Sequence, residues 1–292
     1  MKRILLILLI ILSLGLLNGC NGQQENTQVV ATTKPVYDFS AFLCQNTDIE
    51  VTLLVTENVS CLHDYTLQVS QMRMIESAEM IVISGAGLED FLDDALVGAK
   101  DVIDSSNGCH VHQGGHHDHE GHEDHHHEED PHIWLSPKNA KIMVQNICHG
   151  LTEAYPEHSD IFAANLVTLN AKLDALQAYG EETLHALSCR ELVTFHDGFG
   201  YFAESFDLMI LEAVEEESGS EASAQELKHL ITIVNEHRLP AVFTEVKGSA
   251  SAADVIRAET GCNVFSLDIA MSGDSYFEAM YHNIDTVKEA LE

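Results

Sequence analysis

Apolar positions along the chain fall into two alternating patterns. Residues 29–32 form a short β-like run, and residues 49–55 (IEVTLLV) form a longer one that predicts a buried strand. Further runs lie at residues 80–83 and 101–104. Between them the spacing turns helical: Val36, Phe39, Ala41, Phe42 and Leu43, then Leu67, Met72 and Ile75 on one side of residues 66–77, then residues 88–99. Residues 137–151 predict another helix, with Ala140, Met143, Val144 and Ile147 on one face. From Pro156 to about Leu187 the apolar positions Ile161, Phe162, Leu166, Leu169, Leu173, Leu176, Tyr179, Leu184 and Leu187 recur at three or four. Such a helix would span about 45 Å at ~1.5 Å per residue, and Gly180 is its weak point. A second series then follows, with strands at 192–195, 208–214, 241–246 and 264–267 and helices at 200–206, 224–237, 250–259 and 276–291. The alternation predicts an α/β protein of two lobes. Each lobe holds a mostly parallel four-stranded sheet flanked by helices, and one long rigid α-helix joins them. A ligand site between the lobes is the default expectation.

The N-terminus carries a targeting segment. Lys2 and Arg3 precede an apolar run at residues 4–17, too short for a membrane span of ~20 residues and suited to a secretory signal. Leu17-Asn18-Gly19-Cys20 resembles a lipobox, with Cys20 becoming the lipidated first residue. The organisation is then a signal peptide at 1–19, a lipid-anchored tether at 20–27, an N-terminal lobe at 28–155, a linking helix at 156–188 and a C-terminal lobe at 189–292. The expected location is outside the cytoplasm, on the cell membrane through Cys20, with a soluble periplasmic or secreted protein as the alternative. Cys44, Cys61, Cys109, Cys148, Cys189 and Cys262 remain, none in a CxxC pair, so bridges and free thiols both stay open.

The charge changes the picture further. Forty-seven acidic against 14 basic residues give −33, which excludes a nucleic-acid-binding face and suits attraction of cations. Inserted after the fourth strand, at residues 109–129, is a low-complexity tract with nine histidines: His110, His112, His116, His117, His119, His122, His125, His126 and His127. Acidic residues interleave them, and the composition suits flexible metal collection. His132 is different in kind. It stands between Pro131 and the apolar pair Ile133-Trp134, as one positioned ligand would. Three other candidates lie near strand ends: His63 after the second strand, His196 directly after the strand at 192–195, and Asp268 after the last strand. In an open parallel sheet these ends line the ligand crevice, so two residues from each lobe would face one cleft. Three imidazoles and a carboxylate suit Zn²⁺, while a carboxylate in place of one histidine would favour Mn²⁺. Asp64 and Asp197, each following a candidate ligand, are candidates to orient an imidazole or to cap a turn.

Several segments carry a family resemblance. They are His63-Asp64-Tyr65, Asp130-Pro131-His132-Ile133-Trp134-Leu135-Ser136-Pro137, Phe195-His196-Asp197 with Gly200-Tyr201-Phe202, and Leu267-Asp268 with Tyr276, Met280 and Asn283. Together they resemble the metal-binding solute-binding proteins of bacterial ABC importers. The His-rich insertion and His196 point to the zinc branch (ZnuA-like), since the manganese branch usually has Glu at that place. The resemblance implies a two-lobed fold with a rigid linking helix and metal at His63, His132, His196 and Asp268. It further implies Zn²⁺ as the bound ion, delivery to a membrane permease with its ATPase, and no enzymatic activity; the chain is expected as a monomer. The loop Asn58-Val59-Ser60-Cys61 departs from the family in lacking Gly and Pro, which leaves Cys61 open as a soft ligand or a bridge partner. Two other classes compete with this one. A zinc hydrolase would keep an open ligand position, but no HExxH helix is present. A cell-adhesion protein with structural metal would need modules beyond the two lobes.

Overall fold

The computed structural model describes residues 28–56, 62, 65–99, 101–112, 129–214, 222–246, 248, 250–271, 273 and 275–292. The signal, the tether with Cys20, His63 with Asp64, Cys61 and the tract from His116 to His127 lie outside these residues.

The first lobe contains β1 (Val29–Ala31), α1 (Lys34–Leu43), β2 (Val51–Leu53), α2 (Val69–Ser77), β3 (Met80–Ile83), the single turn α3 (Asp93–Leu96), β4 (Val102–Asp104) and α4 (Pro137–Ala154). The linker is α5 (Ser159–Leu184). The second lobe contains β5 (Glu191–Thr194), α6 (Gly200–Ser205), β6 (Met209–Ala213), α7 (Ala224–His237), β7 (Ala241–Glu245), α8 (Ser251–Thr260), β8 (Asn263–Leu267) and α9 (Tyr276–Leu291). Both sheets are four-stranded and parallel, with the same order: β2-β1-β3-β4 and β6-β5-β7-β8. Strand order therefore reverses at β1/β3 and at β5/β7, and those carboxyl ends open the crevices of a doubly wound sheet.

The apolar runs explain why the central strands sit between two layers. Val29, Ala31, Met80 and Val82 turn to one core while Val30 and Ile81 turn to another. In the second lobe Leu192, Ala241 and Phe243 face one core and Val193 and Val242 the other. A strand buried on both faces needs no polar alternation. The inner core is continuous across the lobes. It joins Phe39 and Trp134 to Tyr201, Phe202 and Tyr276. Phe162, Leu169, Leu173, Leu176 and Leu184 bury one stripe of α5 within it.

Helix ends follow their sequence signals. Ser136 caps α4 through the Asn139 N–H, with Pro137 in the first turn. Ser223 and Glu226 form a capping box on α7, and Ser275 accepts from the Glu278 N–H on α9.

Four local expectations fail. Residues 49–55 do not give a buried strand: β2 is only half-buried, and among the described residues it pairs on one side alone, with β1. Met72 is 44% exposed, and polar Gln71 takes the inward place, donating to the Leu54 carbonyl. Residues 88–99 give a 3-10 turn (Asp90–Leu92) and one α-turn instead of a full helix. The long helix stops at Leu184 rather than about Leu187, where Arg190 donates to the Leu184 and His185 carbonyls. Its 26 residues span about 39 Å.

Gly180 is no weak point. It is buried, and a Cβ there would lie 2.2 Å from the Phe206 ring. The glycine lets the linker approach the second lobe. Among the described residues Cys44, Cys109, Cys148, Cys189 and Cys262 are free thiols.

Candidate metal centre

Pro131 and the 3-10 turn Ile133–Leu135 fix the backbone that carries His132. Trp134 anchors that turn. It is fully buried, its indole N–H donates to the Ile269 carbonyl (2.8 Å), and its own carbonyl accepts from the Tyr276 hydroxyl (2.9 Å). Both partners belong to the second lobe, so the turn is pinned across the cleft. His132 is 5% exposed. Asp130 Oδ1 accepts from its backbone N–H (3.0 Å) and from Nδ1 (2.8 Å). A carboxylate facing Nδ1 assigns the proton there and leaves the Nε2 lone pair free for a metal.

His196 follows β5 at the strand-order reversal. Its Nε2 stands 3.3 Å from His132 Nε2, and the rings cross at 84°. Two nitrogens on a tetrahedral Zn²⁺, each at about 2.05 Å, would be about 3.3 Å apart, so the observed separation fits a shared ion. Gly198 lets the next loop run against the ring: a Cβ there would lie 2.7 Å from His196 Cδ2. On the far side of the imidazole, His196 Nδ1 is 3.6 Å from Glu245 Oε2, at the end of β7. Glu245 is 6% exposed, and burial followed by the charge of Asp268 pushes its carboxyl up to about 7.

Asp268 follows β8. Asn283 on α9 is fully buried and holds the Asp268 peptide from both sides, its Oδ1 accepting from the N–H and its Nδ2 donating to the carbonyl, each at 2.7 Å. The Ala270 N–H donates to Asp268 Oδ1 (2.8 Å). The structure thus brings His132 and His196 together and sets Asp268 after β8, beside β7, where its charge acts on Glu245. His63 lies outside the described residues. Two imidazole nitrogens, with the acidic side chains Glu245 and Asp268 at the ends of neighbouring strands, suit a divalent cation.

Sequence reading overlooked part of this surround. Asp130 supports His132, while Asp197, considered for a supporting role, is exposed. Glu245 occupies a strand end as the predicted ligands do. Two histidines assigned to the flexible tract, His110 and His112, have fixed positions. With Glu204 they bring three ligand atoms within 4.8 Å of one another, in a group that includes neither His132 nor His196.

Comparison with known proteins bears on the chain as a whole. A protein of Treponema pallidum named for metal binding is 30% identical over 240 residues, covering 78% of this chain and 76% of its own. The high-affinity zinc uptake system protein ZnuA of Bacillus subtilis is 26% identical, covering 94% of this chain and 90% of its own. A crystal structure of ZnuA superposes with a TM-score of 0.81 at 29% identity, covering 91% of this chain and 99% of that one. The family model described as zinc-uptake complex component A, periplasmic (ZnuA), matches residues 29–290. That match runs from β1 into the end of α9, across both sheets and the helix between them, and the chain belongs to the ZnuA family.

Proposed function

We propose that this protein captures Zn²⁺ outside the cytoplasm in the cleft between its lobes and delivers it to an ABC permease driven by its ATPase. The observation that carries this reading is the His132–His196 pair: two Nε2 atoms from opposite lobes, 3.3 Å apart, one of them oriented by Asp130. His63 and Asp268 complete the four-ligand set in this reading. Four protein ligands suit capture without chemistry, since no position is left for an activated water. Cation attraction follows from the charge of −33, and the His-rich tract at residues 109–129 raises the local concentration of weakly held zinc. Residues 1–19 direct export, and lipidated Cys20 keeps the protein at the membrane beside its permease.

Metal analysis of the purified mature protein, with competition titration against a chelator, tests the proposal. One tight zinc, lost in His132→Ala and His196→Ala, is the expected result. No tight zinc, or zinc-dependent ester hydrolysis at a useful rate, would overturn it. Co-purification with the permease and ATPase tests the delivery step.

A further inference from the structure

Beyond the cleft, His110, His112 and Glu204 converge at the junction of the lobes. After β4 the chain turns through Gly108, whose φ of +80° suits glycine, and then runs His110-Val111-His112. Residues two apart in such a run can share a side. The two imidazoles do so, with centroids 5.2 Å apart and edge to face. The backbone beneath them is held. Asn139 accepts from the His110 N–H (2.9 Å) and donates to its carbonyl (2.8 Å). The His112 N–H donates to the Tyr201 hydroxyl (2.8 Å), and the His112 carbonyl accepts from the Asp130 N–H (3.0 Å). The His112 ring stacks on Tyr201 at 4.0 Å and 8°.

Glu204 stands one helical turn after Tyr201 on α6, in the other lobe. Its Oε2 lies 2.7 Å from His112 Nε2 and 3.8 Å from His110 Nε2. A surface ion pair needs one histidine, whereas here two imidazoles aim the same nitrogen at one carboxylate oxygen. Two nitrogens and an oxygen within 4.8 Å are three of the four ligands of a tetrahedral borderline cation, and the exposed side admits water as the fourth.

We propose that His110, His112 and Glu204 form a second zinc site that bridges the two lobes. Its occupant is held by the first lobe through the histidines and by the second through Glu204. The site also abuts the cleft. The Tyr201 hydroxyl that holds His112 donates to the Asp130 carbonyl (2.7 Å), and the Asp130 carboxylate orients His132. Zinc at the junction therefore favours the arrangement in which the cleft pair is assembled. The site does not depend on the cleft reading, and either can fail alone.

The test uses the full mature chain with His116, His117, His119, His122, His125, His126 and His127 replaced by Ser, titrated with zinc alone. Two classes of site are expected. Glu204→Gln and His112→Gln should each weaken the second class at least about tenfold and leave the first. His196→Ala should do the reverse. In the His196→Ala background zinc should still raise the melting temperature, and Glu204→Gln should abolish that rise. A single class in the tract-substituted chain would overturn the proposal, as would a second class unmoved by Glu204→Gln and His112→Gln. Glu204 is exposed, so its variant tests the site without a folding penalty.

Discussion

His132 and His196 face each other across the lobe boundary, Nε2 to Nε2, at 3.3 Å and nearly perpendicular. One is fixed by the turn that carries Trp134, the other by a strand end. Neither lobe holds the pair alone, so the geometry is a property of their packing. A site of this kind couples metal binding to the relation of the lobes, because any opening separates its donors.

Removing one donor tests the pair directly. Losing a group that merely supports a ligand costs 10–100-fold in affinity, so His196→Ala should weaken zinc binding by at least about 100-fold. Chelator competition measures it. His196→Glu should recover part of the affinity and shift preference toward Mn²⁺, which accepts oxygen ligands more readily.

Asp130→Asn keeps the size of the side chain and removes the carboxylate that accepts from His132 Nδ1 at 2.8 Å. The imidazole then loses its assigned tautomer, and zinc affinity should fall about 10–100-fold with stability little changed. Equal zinc affinity in the two proteins would show that Asp130 acts only on the backbone.

These sites were unequally legible in the chain. Strand-end positions pointed to His196 and Asp268, because doubly wound sheets open their crevice there, while the setting of His132 between Pro131 and Ile133-Trp134 singled it out. The nearly continuous apolar strands and the three-or-four spacing of α5 made the architecture readable. Met72 failed because an amphipathic pattern cannot tell which weak face is covered; Gln71 bonds Leu54 and wins the interior. Gly180 failed because its reason lies in Phe206, 26 positions away along the chain. His110 and His112 failed for a similar cause: composition merged them with the tract, and only Asn139 and Tyr201 distinguish them.

Trp134 ties the metal turn to the second lobe. Trp134→Phe keeps an aromatic ring but leaves the buried Ile269 carbonyl without its 2.8 Å donor. An orphaned buried acceptor costs about 1–3 kcal/mol, so the denaturant midpoint should fall accordingly. Zinc affinity should fall as well, because Ile269 adjoins Asp268. Unchanged stability would mean that water replaces the indole.

Gly180→Ala weighs two opposing effects. Helix propensity favours alanine by about 1 kcal/mol. The added Cβ would meet Phe206 carbons at 2.2 to 2.7 Å, and forced overpacking costs about 1–3 kcal/mol. The clash should win, and the variant should unfold at lower denaturant. Gly180→Ala with Phe206→Leu should recover part of the loss. A more stable single variant would show that α5 can move away from the second lobe without cost.

Glu89 gives the metal-free protein a pH dependence. It is 4% exposed at the carboxyl ends of β1 and β3. The Thr32 hydroxyl (2.6 Å) and the Ser84 (2.7 Å) and Gly85 (2.9 Å) N–H groups all donate to it. Burial outweighs these donors and raises the carboxyl from 4.5 to about 7. The folded state therefore keeps a proton that the unfolded chain releases. The stability this contributes is full below about pH 4.5 and is lost as pH rises through about 7, amounting to on the order of 3 kcal/mol. Glu89→Gln removes the titrating group at similar volume. Chelator-treated wild type should lose more stability than the variant between about pH 5 and about pH 7.5, read as the difference in denaturant midpoints. Parallel profiles for the two proteins would place the titration of Glu89 near that of an exposed carboxylate and refute the assignment.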